Sequence, residues 1–202
     1  MLDRFTMPLT QRPLERLARR LYGRLTPDQV TLGAFVVGMI ALPLLALEYY
    51  GAALVAIALN RLGDGLDGAL ARLAGETSDA GGFLDIGLDF VFYAAVVFGF
   101  ALADPAANAL AAAFLLLAFI GTGTSFLAFA IAANRRGIRR PRFPQKAFYY
   151  MEGLTEGTET LAALALFCLF PGHFAWLATL FALACLVTTA IRLWGGYRAL
   201  RR

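Results

Sequence analysis

The sequence predicts an all-α integral membrane protein with six transmembrane helices and an N-terminal amphipathic helix at the membrane interface. Of its 202 residues, 59% are hydrophobic and 16% are charged, whereas about a quarter of an average soluble domain is charged. The apolar residues also form blocks, and about 20 residues of helix are enough to cross the hydrocarbon core of a bilayer. Composition and block length together therefore favour a helical bundle within a membrane.

Turn and capping signals separate the apolar blocks. The predicted spans are residues 29–48, 51–72, 82–103, 107–133, 153–170 and 173–194. Thr26 offers an N-cap for the first span, with Pro27 at the first helical position and Gln29 three residues after the cap. Asp104 and Pro105 form a turn signal between the third and fourth spans. These boundaries predict one domain over the whole chain.

The arginine distribution predicts a cytoplasmic location for both termini and for the loop between spans two and three. Arginines precede the first span, fill the connector between spans four and five, and close the chain. The connectors around Glu48, Asp104 and His173 contain no Lys or Arg, so the positive-inside rule fixes the orientation. The single domain, 1–202, then comprises an amphipathic arm, a six-helix bundle and a basic tail, at residues 1–28, 29–194 and 195–202.

The arm has its own helical pattern. Leu9, Leu14, Leu17 and Leu21 can share one helix face while arginines occupy the other. This pattern is typical of a helix lying against anionic headgroups. A solvated basic arm that only sets the topology fits equally well.

Cysteine and histidine usage excludes two kinds of active site. Cys168 and Cys185 both lie inside apolar blocks, and the single histidine, His173, lies in a connector. A zinc site or a Ser–His hydrolase would therefore lack the necessary residues.

Four aspartates lie within segments that are otherwise apolar enough to span. Carboxylates in such segments are costly and indicate function. Asp64 and Asp67 are three residues apart on span two, and Asp85 and Asp89 are four apart on span three, so each pair shares a helix face. At about 1.5 Å per residue, Asp64 and Asp89 form a deeper tier, and Asp67 and Asp85 a shallower one. The two helices can thus present four facing carboxylates.

These carboxylates predict a divalent-metal site. Four like charges cannot coexist bare in a low dielectric, and no lysine lies nearby to pair them. Oxygen ligands without His or Cys favour Mg²⁺, Mn²⁺ or Ca²⁺, and two such ions suit in-line phosphoryl displacement while one aspartate takes a proton. Gly65, Gly68, Ala71 and Gly81 would let a nucleotide-sized group approach the helices, and Arg72 could balance phosphate charge. Structurally paired carboxylates and glycines used for helix packing are the alternative interpretation.

The spacing of these residues resembles the signature of the CDP-alcohol phosphotransferase family. The chain reads Asp64-Gly-Leu-Asp67-Gly68-Ala-Leu-Ala71-Arg72, then eight residues, then Gly81, Asp85 and Asp89. Every defining position of D-x-x-D-G-x-x-A-R-x8-G-x-x-x-D-x-x-x-D is matched. Six spans and an amphipathic N-terminal helix extend the resemblance over most of the chain.

The resemblance implies an activity and a role for each motif residue. An acceptor hydroxyl would attack the β-phosphorus of CDP-diacylglycerol or another CDP-alcohol, and CMP would leave. Two divalent cations, Mg²⁺ or Mn²⁺ with Ca²⁺ as a non-productive occupant, would be held by Asp64, Asp67, Asp85 and Asp89. Asp89 would also be the general base. The CDP pocket would be lined by Gly68, Ala71, Arg72 and Gly81. The resemblance further implies a homodimer among membrane lipids in a bacterial inner (cytoplasmic) membrane, with no nucleic-acid partner.

The acceptor remains open between two sets of residues. Glu152, Glu156 and Glu159 share one face at the start of span five and could bind a polyol, a cationic acceptor or a further cation. Basic residues instead suit a phosphorylated acceptor, and they are Arg135, Arg136, Arg139, Arg140 and Arg192. Either set could equally serve helix capping or topology. Glycerol 3-phosphate, the acceptor of phosphatidylglycerophosphate synthase, is the best single expectation for this small polar alcohol.

Two other function classes share the intramembrane carboxylates. A divalent-cation or proton-coupled transporter would use them as a transport path, but would favour acids at the midplane in two related halves. The second class is a non-catalytic membrane scaffold with the same fold.

Overall fold

The chain is helical throughout the part that the structure describes. The structure is a computed structural model that describes residues 13–75, 78–136 and 154–201, and it has no β-strand within these ranges. The all-α prediction is therefore confirmed. The helices are α1 (residues 13–21), α2 (Pro27–Met39), α3 (Ala41–Ala46), α4 (Tyr50–Ala74), α5 (Asp79–Ala103), α6 (Pro105–Arg135), α7 (Gly157–Leu169) and α8 (Phe174–Arg201), with a 3₁₀ turn at Pro171–His173.

Four helical stretches of the described chain are long and apolar enough to cross a membrane. They are Pro27–Ala46, Asp79–Ala103, Pro105–Arg135 and Pro171–Arg201. Helix α4 has 25 residues, but charged side chains interrupt its apolar surface. Helix α7 has 13 residues and is shorter than the hydrocarbon core is thick. Multiple membrane spans are thus supported, and the two further predicted spans, which correspond to α4 and α7, stay predictions.

Side-chain caps begin two of these helices. The Thr26 backbone N–H donates to Gln29 Oε1 at 3.0 Å, and the Gln29 N–H donates to Thr26 Oγ1 at 3.3 Å. This reciprocal pair satisfies two backbone donors that have no partner inside α2. At the start of α6, the Ala107 N–H donates to Asp104 Oδ1 at 3.0 Å. The predicted Thr26 cap and the predicted turn at Asp104 and Pro105 are therefore confirmed.

The first predicted span consists of two helices. Helix α2 ends at Met39 and α3 begins at Ala41. Pro43 explains the break, because proline has no N–H to donate to the carbonyl of Met39 and its ring clashes with that carbonyl. Residues 29–48 were predicted as one uninterrupted span, so the break at Pro43 is a departure from that prediction.

Stacked aromatic rings close one end of the bundle. Phe100 near the end of α5 stacks on Phe174 with ring centroids 4.5 Å apart, and Phe167 meets Phe174 edge-on at 5.2 Å. All three rings are fully or almost fully buried. Phe100 is fifteen residues beyond Asp85, which is about 22 Å along the helix. The aromatic packing therefore fixes α5, α7 and α8 at the end of the bundle away from the aspartates.

Helix α1 packs against α4 through part of its predicted apolar face. Leu14, Ala18 and Leu21 lie against a small apolar cluster of α4 that includes Leu66 and Leu70. Leu17, by contrast, is 44% exposed. Leu9 lies outside the described residues. The interfacial position of this helix stays a prediction.

Candidate metal centre

Three of the predicted aspartates bring carboxylate oxygens together. One oxygen from each of Asp64, Asp85 and Asp89 lies within 4.8 Å of the other two, and all three residues are partly exposed. Oxygens bound to one Ca²⁺ ion lie about 2.3–2.6 Å from it and are at most about 5 Å apart, whereas oxygens bound to one Mg²⁺ ion lie about 2.0–2.1 Å from it and are at most about 4 Å apart. This all-oxygen donor set therefore fits a hard divalent cation.

Asp67 reaches the same cleft but is held by a different element. Its side chain is 7% exposed, and its Oδ2 accepts a hydrogen bond from Thr31 Oγ1 of α2 at 2.5 Å. The three-oxygen group of Asp64, Asp85 and Asp89 thus combines residues of both predicted tiers. The predicted tiers are therefore not separate groups, because Asp85 lies with the deeper pair.

Close packing of α2 on α4 places Thr31 beside Asp67. Gly63 allows this approach, because a Cβ added to it would collide with the Ala34 side chain. Asn60 Nδ2 donates to the Ala34 carbonyl at 3.0 Å and fixes the two helices in register. Thr31 is one turn before Ala34 and therefore faces the carboxylates of α4.

Arg61 is a site residue that the sequence analysis missed. Its Nη2 donates to Asp89 Oδ1 at 2.5 Å and its Nη1 to Asp89 Oδ2 at 3.2 Å. Nη1 also lies 3.7 Å from Asp64 Oδ2. The absence of a nearby lysine had suggested unpaired aspartates, and for Asp89 that interpretation is wrong. The three-residue spacing of Arg61 and Asp64 was the available signal, since it places both side chains on one helix face.

The cleft between α2, α4 and α5 contains all four aspartates. Helix α4 contributes only polar side chains to it, whereas α2 and α5 contribute both polar and apolar ones. Its lining residues are Thr31, Ala34, Phe35, Asn60, Arg61, Asp64, Asp67, Asp85, Leu88 and Asp89.

The predicted CDP-pocket residues lie at the loop end of α4 and α5. A Cβ added to Gly68 would be 3.3 Å from Arg72 Nη1, so the Arg72 guanidinium folds back over this glycine. A Cβ added to Gly81 would be 3.2 Å from Ser78 Oγ and 3.3 Å from Asp28 Oδ1. Ala71 is half-buried on α4. Close approach at Gly68 and Gly81 suits both a nucleotide pocket and simple packing.

A second group of buried polar residues lies where α6, α7 and α8 meet. Arg192 Nη1 donates to the Thr122 carbonyl at 3.3 Å. The Thr155 N–H and hydroxyl both donate to Thr188 Oγ1 at 3.0 Å. Polar groups at such depth need partners, and these contacts supply several of them. We call this group the second polar cluster; its buried members are Thr122, Ser125, Thr155, Glu156, Thr188 and Arg192.

The two predicted acceptor sets are only partly described. Glu156 is buried at the start of α7, and its N–H donates to Glu159 Oε2 at 3.2 Å. Arg135 and Arg136 are exposed at the end of α6, and the Arg136 guanidinium donates to the Leu200 carbonyl. Capping therefore accounts for part of the glutamate pattern. The other predicted residues, Glu152, Arg139 and Arg140, lie outside the described residues.

Sequence comparison decides the family. Residues 24–194 match the sequence profile of the CDP-alcohol phosphatidyltransferases. The chain belongs to this family. The family predicted from the aspartate motif is therefore confirmed, and with it the class of enzyme, a membrane transferase of substituted phosphate groups in phospholipid biosynthesis.

Two relatives of this CDP-alcohol phosphatidyltransferase are similar to it over different lengths. Inner membrane protein YnjF of Escherichia coli strain K12 is 56% identical over 202 residues, which is 100% of this chain and 98% of YnjF. The archaetidylinositol phosphate synthase of Pyrococcus horikoshii is 38% identical over 96 residues, covering 47% of this chain and 51% of the synthase. The similarity to YnjF thus extends over the whole chain.

Solved structures show the same fold. Phosphatidylinositol phosphate synthase of Mycobacterium tuberculosis with CDP-DAG bound has a TM-score of 0.71 and 23% identity, over 91% of this chain and 93% of that one. The same enzyme in complex with manganese and citrate has a TM-score of 0.69 at 23% identity, over 93% and 88% of the two chains. The arrangement of helices is therefore shared.

Proposed function

We propose that this chain transfers a phosphatidyl group from CDP-diacylglycerol, or the equivalent group from another CDP-alcohol, to the hydroxyl of a small polar acceptor. The observation that carries the proposal is the convergence of the Asp64, Asp85 and Asp89 oxygens within 4.8 Å, inside the family motif. A solved relative with CDP-DAG bound supports this donor. The structure of that same relative in complex with manganese supports the use of a divalent cation.

Each aspartate has a defined task in this reaction. Asp64, Asp67 and Asp85 would hold two divalent cations, Mg²⁺ or Mn²⁺, and Asp89 would share in holding them. Bound divalent cations supply positive charge that neutralises a pyrophosphate and its leaving group. Thr31 keeps Asp67 facing the cleft through its 2.5 Å hydrogen bond. The fit of the all-oxygen donor set to hard cations supports these assignments.

Asp89 would act as the general base. The acceptor oxygen forms a bond to the β-phosphorus while the bond from that phosphorus to the bridging oxygen of CMP breaks. The acceptor proton moves to the Asp89 carboxylate, and CMP leaves with the bridging oxygen. Arg61 holds this carboxylate from one side, at 2.5 and 3.2 Å from its two oxygens. Asp89 is partly exposed, so an acceptor could approach it from the cleft.

The CDP group would bind at the loop end of α4 and α5. Gly68, Ala71 and Gly81 leave room next to the helix backbones, and Arg72 would meet the phosphate charge. Arg72 Nη1 lies next to Gly68, so the two residues could contact the same bound nucleotide.

The acceptor would carry a phosphate that buried Arg192 recognises. Glycerol 3-phosphate remains the first candidate. An inositol-bearing acceptor is the second, because the named archaeal and mycobacterial relatives are inositol phosphate lipid synthases. The second polar cluster offers hydroxyl groups and Glu156 for the acceptor's own hydroxyls.

The membrane arrangement follows from the charge distribution. We infer six spans, with α4 and α7 completing the four apolar stretches, and both termini and the active site in the cytoplasm. The relative YnjF is an inner membrane protein of E. coli, which supports a bacterial inner membrane. A homodimer is part of the same proposal.

An acceptor panel tests the reaction and names its substrate. Purified protein in detergent would receive Mg²⁺ or Mn²⁺, CDP-diacylglycerol and one acceptor at a time, and CMP release would be followed. Glycerol 3-phosphate, inositol phosphate, serine, glycerol, choline and ethanolamine form the panel. We expect CMP release that requires one phosphorylated acceptor and stops with chelator. If no acceptor gives CMP release with CDP-diacylglycerol or with another CDP-alcohol donor, while Mn²⁺ still binds, the transporter or the scaffold would be favoured instead.

A further inference from the structure

Arg61 is a cation built into the aspartate cluster. Its side chain is 12% exposed and lies against Asp89 through two hydrogen bonds, of 2.5 and 3.2 Å, with Asp64 Oδ2 at 3.7 Å. The two hydrogen bonds use both nitrogens of the guanidinium fork and both oxygens of the carboxylate. Paired contacts of this kind are strong and directional.

Neighbouring groups hold the guanidinium in this position. Asn60 Oδ1 accepts from Arg61 Nε at 2.8 Å and from Nη2 at 2.6 Å. The Tyr93 hydroxyl accepts from Nη1 at 3.0 Å. The rings of Phe92 and Tyr93 lie 5.2 and 5.3 Å from the guanidinium carbon. Arg61 is therefore fixed on three sides and is not a surface cation that happens to meet an acid.

We propose that Arg61 is a positioning residue that holds Asp89 and competes with one of the two divalent cations for it. This inference rests on the proposed function, which supplies the two cations. A guanidinium that engages both Asp89 oxygens opposes any further cation that uses the same carboxylate, because like charges repel strongly where water is scarce. The two cation positions are then unequal, and the position that depends on Asp89 is the weak one.

A purely structural role for Arg61 makes the opposite prediction for metal binding. If Arg61 only shaped the cleft, its loss would leave the carboxylates disordered and metal affinity would fall. If Arg61 competes for Asp89, its loss frees a carboxylate and metal affinity rises. In both cases the metal-free protein loses stability, because the aspartates lose their internal cation. The sign of the change in metal affinity therefore separates the two roles.

The experiment compares Arg61→Gln with wild-type protein and with Arg198→Gln, which removes an exposed arginine that stacks on Trp194. Each protein would be purified in detergent and stripped with chelator. Mn²⁺ binding would be measured by electron paramagnetic resonance of the free ion, and unfolding by a thermal scan with and without chelator. In Arg61→Gln, we expect the more weakly bound Mn²⁺ ion to bind more tightly, with a Kd lower by about tenfold or more. We also expect the unfolding midpoint measured in chelator to fall. Arg198→Gln should change neither quantity.

The double variant Arg61→Gln/Asp89→Asn keeps the proposal testable if the single variant Arg61→Gln fails to fold. It removes one positive and one negative charge, so it should regain a wild-type unfolding midpoint in chelator and bind one Mn²⁺ ion. An Arg61→Gln protein that folds only with Mn²⁺, or only when Asp89→Asn is added, supports the proposal. Unchanged or weaker Mn²⁺ binding in Arg61→Gln overturns it, as does a double variant no more stable than the single one. Wild-type protein that binds no Mn²⁺ and releases no CMP would instead overturn the proposed function.

Discussion

Replacing Thr31 by valine tests whether α2 holds Asp67 in the cleft. Valine keeps the shape of threonine but removes the hydroxyl that donates to Asp67 Oδ2 at 2.5 Å and lies 3.1 Å from the Pro27 carbonyl. The hydroxyl has only one proton to donate. Asp67 is the stronger acceptor, because its carboxylate is charged and lies closer than the Pro27 carbonyl. The substitution therefore removes a hydrogen bond to a charged group with little change in packing.

The size of the effect follows from the burial of Asp67. Its side chain is 7% exposed, so water replaces the lost donor poorly. A hydrogen bond to a charged group contributes about 1.5–3 kcal/mol to stability. For a chain of this size, each kcal/mol shifts the unfolding midpoint by about 2–4 °C, so the midpoint should fall by roughly 3–12 °C.

The assay is thermal unfolding of purified protein in detergent with chelator, followed by intrinsic fluorescence. Thr179→Val is the matched control, because the Thr179 hydroxyl donates to the Ala175 carbonyl of its own helix at 2.7 Å and lies on α8. Its loss should cost less than about 1 kcal/mol. Equal shifts for Thr31→Val and Thr179→Val would refute the claim that Thr31 stabilises Asp67.

Three further substitutions test other parts of the site. Gly63→Val should destabilise the protein by about 1–3 kcal/mol in the same thermal assay, because its side chain would collide with Ala34; an unchanged midpoint would contradict the close approach of α2 and α4. Asp85→Asn should weaken Mn²⁺ binding at least about tenfold, measured by titration, and wild-type affinity would remove Asp85 from the ligand set. Ser78→Ala should cost about 1 kcal/mol of stability, since Ser78 Oγ accepts from the Gly81 N–H at 3.0 Å; no loss would mean that this cap is dispensable.

Local sequence rules predicted the features that depend on nearby residues. The cap at Thr26, the turn at Asp104 and Pro105 and the helical class follow from short-range chemistry or from helix period. The motif spacing placed Asp64, Asp85 and Asp89 on facing helices, and the structure brings their oxygens together. The helical period and the spacing of residues within one helix depend only on that helix, so both can be predicted directly from the sequence.

Contacts between distant helices were not predictable in the same way. Thr31 lies 36 residues before Asp67, and nothing in the sequence shows that α2 packs across α4 at Gly63. Arg61 and Asp89 are 28 residues apart, so their pairing depends on the rotation of α4 relative to α5. The rotation found in the structure brings Asp85 together with Asp64 and Asp89. It also places the Arg61 guanidinium against Asp89, where the sequence had indicated no cation.

The central claim is that Asp89 takes the acceptor proton in a metal-dependent release of CMP. The most direct test compares wild-type protein with Asp89→Asn in one CMP-release assay, with CDP-diacylglycerol, Mn²⁺ and the acceptor that the panel identifies. Binding of CDP-diacylglycerol and elution in gel filtration would be measured on the same samples. We predict that Asp89→Asn binds the donor and elutes like wild type but releases no CMP above the chelator background. CMP release at the wild-type rate from Asp89→Asn would contradict the account.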